Sequence, residues 1–309
     1  MTKIPELSLK NSKKNKTTIS KEIYNACINV GFFSIIDHGL NINLVKKVLK
    51  LSSDFFDQPD KIKKKYHLKN GYGQRGYTPL GFETAKKFKI PDRKEFWHHG
   101  RSTWDSKYKN NMPSNLIINE VKTINQELIN LFNEFEKIGS EILSYIAITL
   151  DLKDDWFDDK INQGNSILRL IHYPKTEKRS TGLRAEAHED INLITLLIGT
   201  NQAGLEVLDH KKNWIPIDVG YDKIVCNVGD MLQRLTNNRF KSTTHRVRNP
   251  KKIEKNKSRY SIPYFLHFNP DFIIKTLPNC TSKKEPNLYP HPITANEFLI
   301  SRLKEINLR

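Results

Sequence analysis

Cysteine is scarce in this 309-residue chain: Cys27, Cys226 and Cys280 lie far apart and form no Cys-x-x-Cys pair. A disulfide scaffold and a closed, cysteine-rich zinc site are both excluded, and a reducing, cytoplasmic setting is the natural expectation. Long apolar runs are also missing. No stretch approaches the length needed to cross a bilayer, and the first residues lack a signal-type apolar core. Acidic residues are in short supply, 34 against 51 Lys and Arg, which leaves a net charge of +17. Such a balance raises the question of nucleic acid. The excess, however, is mostly lysine, spread from Lys10 to Lys304, with no aromatics interleaved with arginines to stack bases. It reads as solvated surface rather than a nucleic-acid interface, and a basic rim would steer anions inward. Internal repeats and low-complexity linkers are absent.

What is present is concentrated in His188-Glu189-Asp190-Ile191-Asn192, His245, and Arg259-Tyr260-Ser261. In His188-x-Asp190 the two side chains share strand parity, because residues i and i+2 point to one face. Asp190 is expected where the strand turns. Thr244-His245-Arg246-Val247 follows a turn at Asn237-Asn238 and reads as another strand of the same sheet. Two imidazoles and one carboxylate on one face of a metal leave three positions open, the pattern that suits Fe(II) in non-haem oxygenases. A three-ligand zinc hydrolase stays physically possible at this point. Arg259 and Ser261 also share parity, so guanidinium and hydroxyl can grip one anion. His98-His99 makes a poor ligand pair, since neighbours on an extended chain point apart.

These residues carry a resemblance. From His188 to Ser261, with Gly204-Leu205-Glu206-Val207, Asn227-Val228-Gly229-Asp230 and Ser242-Thr243-Thr244-His245 in order, the chain resembles the Fe(II)/2-oxoglutarate-dependent oxygenases of the isopenicillin N synthase-like superfamily. Upstream, Gly31-Phe32-Phe33, Asp37-His38-Gly39, Phe55-Phe56-Asp57-Gln58-Pro59 and Lys94-Glu95-Phe96-Trp97 look like its N-terminal region. The resemblance implies Fe(II) on His188, Asp190 and His245, with 2-oxoglutarate as co-substrate and O2 as oxidant. It implies that Arg259 and Ser261 hold the distal carboxylate of 2-oxoglutarate, helped by the Tyr173 hydroxyl. The implied reaction is oxidative decarboxylation to succinate and CO2, coupled to oxidation of a small-molecule C–H bond, hydroxylation by default. One departure is the lysine-rich stretch Lys251–Lys257, slightly longer than the usual connection, which a polar loop absorbs at little cost.

Along the chain, Ser20 to Val30 is predicted as a helix closed by Gly31, Phe32 to Ile36 as a strand, and Ile42 to Phe56 as a second helix. Gly71 to Tyr77 is too irregular for either period and reads as a loop lining a pocket. Apolar residues recur every three or four positions from Leu116 to Leu150, predicting a long amphipathic helix packed on the back of a sheet. Short β-rich runs follow: Ile167–Tyr173, Ile194–Ile198, Leu205–Leu208, Trp214–Ile217, Ile224–Val228, Thr244–Val247 and Tyr260–His267. Thr294-Ala295-Asn296-Glu297 has capping-box form and opens a last helix. The expected fold is α+β, mainly β, a double-stranded β-helix (jelly roll) core with flanking helices. Residues 1–100 form the N-terminal helical/β region, and residues 101–309 the long helix and oxygenase core, as one compact unit.

For the substrate, Arg169 shares strand parity with Tyr173, and Glu83 follows the glycine-rich loop. Both are candidate substrate-binding residues, which suggests a small polar, amino-acid-like molecule handled by a monomer or weak oligomer. Two alternatives stay open: an Fe(II) oxidase of the same superfamily that needs no 2-oxoglutarate, and a non-enzymatic metal- or nucleic-acid-binding module.

Overall fold

The computed structural model describes residues 4–12, 14–68, 73–86, 88–176, 182–199, 202–251 and 256–306. In chain order its strands are β1 (Glu6–Ser8), β2 (Phe32–Ile36), β3 (Gly76–Thr78), β4 (Glu95–Gly100), β5 (Ile167–Tyr173), β6 (Ala185–His188) and β7 (Ile194–Gly199). There follow β8 (Leu205–Leu208), β9 (Trp214–Pro216), β10 (Ile224–Val228), β11 (His245–Val247), β12 (Arg259–Leu266), β13 (Ile273–Ile274) and β14 (Ile293–Thr294). The helices are α1 (Lys16–Asn29), α2 (Ile42–Phe56), α3 (Asp60–Lys63), α4 (Ile124–Thr149), α5 (Asp158–Ile161), α6 (Asp230–Leu235) and α7 (Ala295–Glu305).

Eight strands form one sheet in the order β1-β2-β10-β7-β12-β5-β4-β3, and four form a second in the order β6-β11-β8-β9. Apart from the parallel β1–β2 edge, every pairing is antiparallel. The apolar layer between the sheets joins Phe32, Phe96, Ile171 and Tyr173 of the large sheet to Leu205, Val207 and Val247 of the small one. This is the expected jelly roll. The first hundred residues extend it, because β2 pairs with β10 and β4 with β5.

Most predicted elements form as read, with three differences. Helix α1 starts at Lys16, ahead of Ser20, because its buried stripe begins at Ile19 and the first turn precedes it. Gly31 closes it with φ +73°, and a Cβ there would meet the Lys241 carbonyl oxygen at 2.2 Å. Helix α4 starts at Ile124, not Leu116. Thr123 is left-handed at φ 66°, and Asn125 holds the approaching chain by bonding both Ile118 backbone groups at 2.8 and 3.0 Å. Ile118 and Val121 are buried as loop anchors, whereas Ile117 is 60% exposed. Behind the large sheet, α4 stacks Phe135 on Tyr264 of β12, ring centroids 5.6 Å apart. The third difference is at Gly76-Tyr77, which are the first two residues of β3 and pair with His98 and Trp97. Gly71 and Tyr72, and Lys252 to Lys255 of the lysine-rich stretch, lie outside the described residues. At the other end, α7 carries the capping box: Thr294 Oγ1 accepts from the Glu297 backbone N–H at 3.2 Å, and Glu297 Oε2 accepts from the Thr294 N–H at 3.0 Å. Among the described residues no helix is long and apolar enough to cross a membrane.

Candidate active site

His188 ends β6, His245 opens β11, and the two residues are direct cross-strand partners. Their rings are 4.4 Å apart between centroids. Asp190 lies just beyond β6, where the chain bends. The bend is pinned from below: the Gly229 and Asp230 N–H groups donate to the carbonyls of Leu193 and Asp190 at 2.8 and 2.7 Å. A Cβ at Gly229 would stand 2.1 Å from the Asn192 carbonyl oxygen, so only glycine permits this approach. Asp190 Oδ1 is 3.9 Å from His188 Nε2 and 3.8 Å from His245 Nε2, and the three ligand atoms lie within 4.8 Å of one another.

Each group is aimed by a neighbour. His188 Nδ1 meets the Glu186 carbonyl at 2.7 Å and His245 Nδ1 the Thr243 carbonyl at 3.2 Å. A carbonyl can only accept, so the protons sit on Nδ1 and the Nε2 lone pairs are free. Phe32 of β2 packs edge-on to His245 at 5.4 Å. Asp190 Oδ2 accepts from Thr195 Oγ1 at 2.6 Å and Asn227 Nδ2 at 2.8 Å, leaving Oδ1 to face the imidazoles. Burial alone raises a carboxyl's pKa, but the two imidazoles and these two donors hold Asp190 below the usual carboxylate range. Burial keeps His245 neutral.

A second feature lies on β12. Arg259 pairs with Tyr173 across β12–β5, its guanidinium over that ring at 5.0 Å, and Ser261 pairs with Ile171. Arg259 Nη1 donates to Ser261 Oγ at 3.2 Å and Nε to the Gln202 carbonyl at 3.4 Å. The residue is 1% exposed, yet no carboxylate stands within ion-pair distance of it among the described residues. A buried guanidinium with neutral partners alone is costly, and an anion in the cavity would offset that cost.

His188, Asp190, His245, Tyr173, Arg259 and Ser261 line one cavity of about 520 Å³. Glu83 and Arg169 line it as well, and they face each other, Arg169 Nη1 standing 3.7 Å from Glu83 Oε2. Glu83 Oε1 also pairs with Lys94 Nζ at 2.9 Å, which in turn meets Asp92 at 2.7 Å. Against the upward pull of burial, Lys94 and Arg169 hold the Glu83 carboxyl down at about 2. His98 and His99 do point apart, His98 lining the cavity and His99 lying beside Asn115 and Phe132. Sequence reasoning missed Thr195, Asn227, Asp92, Lys94 and His98 as parts of the site. Asn227 and Thr195 are paired across β10–β7, a signal that only strand register reveals.

Comparison with known proteins places this architecture. Residues 4–120 match the non-haem dioxygenase in morphine synthesis N-terminal family, and residues 164–268 the 2OG-Fe(II) oxygenase superfamily. A crystal structure of a 2OG-Fe(II) oxygenase family protein from Caulobacter crescentus matches with TM-score 0.91 and 41% identity, covering 99% of this chain and 100% of that one. A full-length Neurospora crassa protein, solved in complex with alpha-KG, matches with TM-score 0.86 and 26% identity over 97% of this chain and 95% of its own. It has also been solved with alpha-KG and thymine. A 2-oxoglutarate-Fe(II) type oxidoreductase of Emericella nidulans is 28% identical over 302 residues, 94% of this chain and 85% of the relative. These relatives are oxidoreductases, which retires the alternative of a non-enzymatic binding module. The chain belongs to the 2OG-Fe(II) oxygenase superfamily, and it is a non-haem iron dioxygenase that works with Fe(II) and 2-oxoglutarate.

Proposed function

We propose that His188, Asp190 and His245 hold the iron, and that Arg259, with Ser261 and Tyr173, anchors the far carboxylate of 2-oxoglutarate. The enzyme then couples decarboxylation of 2-oxoglutarate to succinate and CO2 with hydroxylation of a small-molecule C–H bond. The observation that carries this reading is the buried Arg259 guanidinium without a carboxylate among the described residues, in the same cavity as three converging ligand atoms. The donor set fits Fe(II): two neutral imidazole nitrogens and one carboxylate oxygen, on one side of the ion they would share. O2 is the oxidant; iron, when bound, would activate it, and 2-oxoglutarate would supply two of the four electrons that reduce it.

The chain's own residues orient and exclude. Glu186 and Thr243 carbonyls fix the imidazole tautomers, and Thr195 and Asn227 fix the carboxylate. The Arg259 fork over the Tyr173 ring presents its donors to a carboxylate, with the Ser261 hydroxyl beside it. The substrate is a small polar molecule of the amino-acid-like kind, held by Arg169 and Glu83 on the cavity wall. A relative solved with thymine supports small, polar ligands in a cavity of this type. Three buried, unpaired cysteines support a cytoplasmic setting.

The test is anaerobic titration of the iron-loaded protein with 2-oxoglutarate, following the visible charge-transfer band. The band should form, and under O2 succinate should accumulate with product. Product without succinate formation points instead to an oxidase that dispenses with 2-oxoglutarate. Arg259→Ala should weaken 2-oxoglutarate on the order of 100-fold, as loss of one member of a buried charge pair does. Unchanged affinity removes the anchor assignment.

A further inference from the structure

Glu83 is only half satisfied. Its Oε1 accepts from Lys94, whereas Oε2 is buried and has no hydrogen-bond partner among the described residues. Arg169 Nη1 stands 3.7 Å from it, too far for a hydrogen bond. A buried ionised oxygen without a donor costs about 1–3 kcal/mol or more, and something that binds here can recover it.

Arg169 is held as if to meet that same ligand. Its guanidinium lies over Phe96 at 4.1 Å and Phe265 at 5.0 Å, which fixes the plane. Its Nε donates to His98 Nε2, and His98 Nδ1 meets the Gly73 carbonyl. His98 is therefore the neutral Nδ1–H tautomer, and burial beside Arg169 keeps it so. With Nε tied back, the terminal nitrogens of the fork stay at the cavity edge, beside Glu83 Oε2. Glu83 and Arg169 line the same cavity as His188, Asp190 and His245.

Charge narrows the choice further. Asp92, Lys94, Glu83 and Arg169 make two anions and two cations in one paired cluster. The wall offers an acceptor and a donor side by side but no net charge. A ligand of net charge would have to be buried without compensation.

We infer that Glu83 Oε2 and the Arg169 fork form the substrate-recognition edge, which takes a molecule of zero net charge with an N–H donor adjacent to an oxygen acceptor. Two sources offer that chemistry: the cis-amide edge of a lactam, imide or pyrimidine, and the ammonium and carboxylate of a free amino acid. His98 is a positioning residue that acts through Arg169. The inference rests on the functional reading above for the cavity's purpose, and it adds what the cavity selects.

The experiment is calorimetric titration of the anaerobic iron–2-oxoglutarate protein. One arm uses uracil, glutarimide and 2-piperidone, and the other L-proline and L-glutamine, each with a counterpart methylated until no N–H remains on the ring or α-nitrogen. At least one arm should bind. N-methylation should weaken its members at least about 10-fold, the value of a hydrogen bond to a charged group. Glu83→Gln and Arg169→Lys, each checked for a native circular-dichroism spectrum and a cooperative unfolding transition, should weaken the same ligand by a similar factor. The two variants are independent, so failure of one to fold leaves the other as the test. If neither arm binds, if N-methylation is tolerated, or if both folded variants bind normally, the inference is wrong. The visible band of the wild-type protein without probe reports separately on the iron and 2-oxoglutarate assignment, so the two failures cannot be confused.

Discussion

Asp190 and Glu83 are two carboxylates on the wall of one cavity, and each has one oxygen occupied and one free. Their partners differ in kind. Asp190 is oriented by a hydroxyl and a carboxamide, neutral donors that leave its full negative charge for whatever lies between it and the imidazoles. Glu83 is oriented by an ammonium and lies near a guanidinium, so its charge is already spent and only an acceptor lone pair is left. A carboxylate held by neutral donors is suited to a cation, whereas one neutralised by cations is suited to an N–H group. The same side-chain chemistry thus fits both the proposed metal site on the small-sheet side and the proposed recognition edge beside β4 and β5.

The most severe way to break this comparison is to remove the charge at Asp190. Asp190→Asn keeps the shape and, with its amide oxygen accepting from Thr195 and Asn227, turns an NH2 group that cannot ligate toward the imidazoles. Iron stoichiometry should collapse and turnover fall below detection, while Glu83→Gln should keep its iron; metal analysis of the two purified variants decides. Iron retained in Asp190→Asn at wild-type affinity would mean that the triad is not the metal site. A milder cut removes only the aiming donor. Asn227→Ala should lower iron affinity about 10- to 100-fold, the usual effect of losing a partner that orients a ligand. Chelator competition measures it, and an unchanged constant would show that Asn227 merely fills space.

How much of this was legible in the chain depends on distance along it. His188 and Asp190 are two residues apart, as are Arg259 and Ser261, so strand parity alone puts each pair on one face. The donors of Asp190 escape that logic. Asn227 comes 37 residues later and reaches it only because β10 pairs with β7 in one register. Glu83 and Arg169 were identifiable as charged residues near a pocket, but not as neighbours of each other. They lie far apart in the chain, and Glu83 reaches Arg169 beside Lys94, which leads into β4, the partner strand of β5. The overextended start of α4 has the opposite cause. Apolar spacing of three and four continues through Ile118 and Val121, whose burial is real, while a left-handed Thr123 breaks the helix between them and Ile124. Periodicity reports burial faithfully, but it does not report the backbone that achieves it.

The smallest expected effect concerns pH, and it sharpens the contrast from the Glu83 side. The ordinary value for this carboxyl is 4.5, and its cationic neighbours hold it at about 2 in the folded protein. A carboxyl depressed by folding contributes stability above its unfolded value and loses it as pH falls toward the folded one. The iron-free protein should therefore lose stability between about pH 4.5 and 2 partly through Glu83. Glu83→Gln cannot take up that proton. Its stability at neutral pH should be lower by at most ~3 kcal/mol, and the gap to wild type should close as the acid is approached. Denaturant midpoints of both proteins at several pH values give the curve. If the two run parallel through this window, Lys94 and Arg169 do not hold the carboxylate as the geometry requires. Glu83 would then have charge left over, as Asp190 has, and the distinction between a metal ligand and a hydrogen-bond acceptor would lose its physical basis.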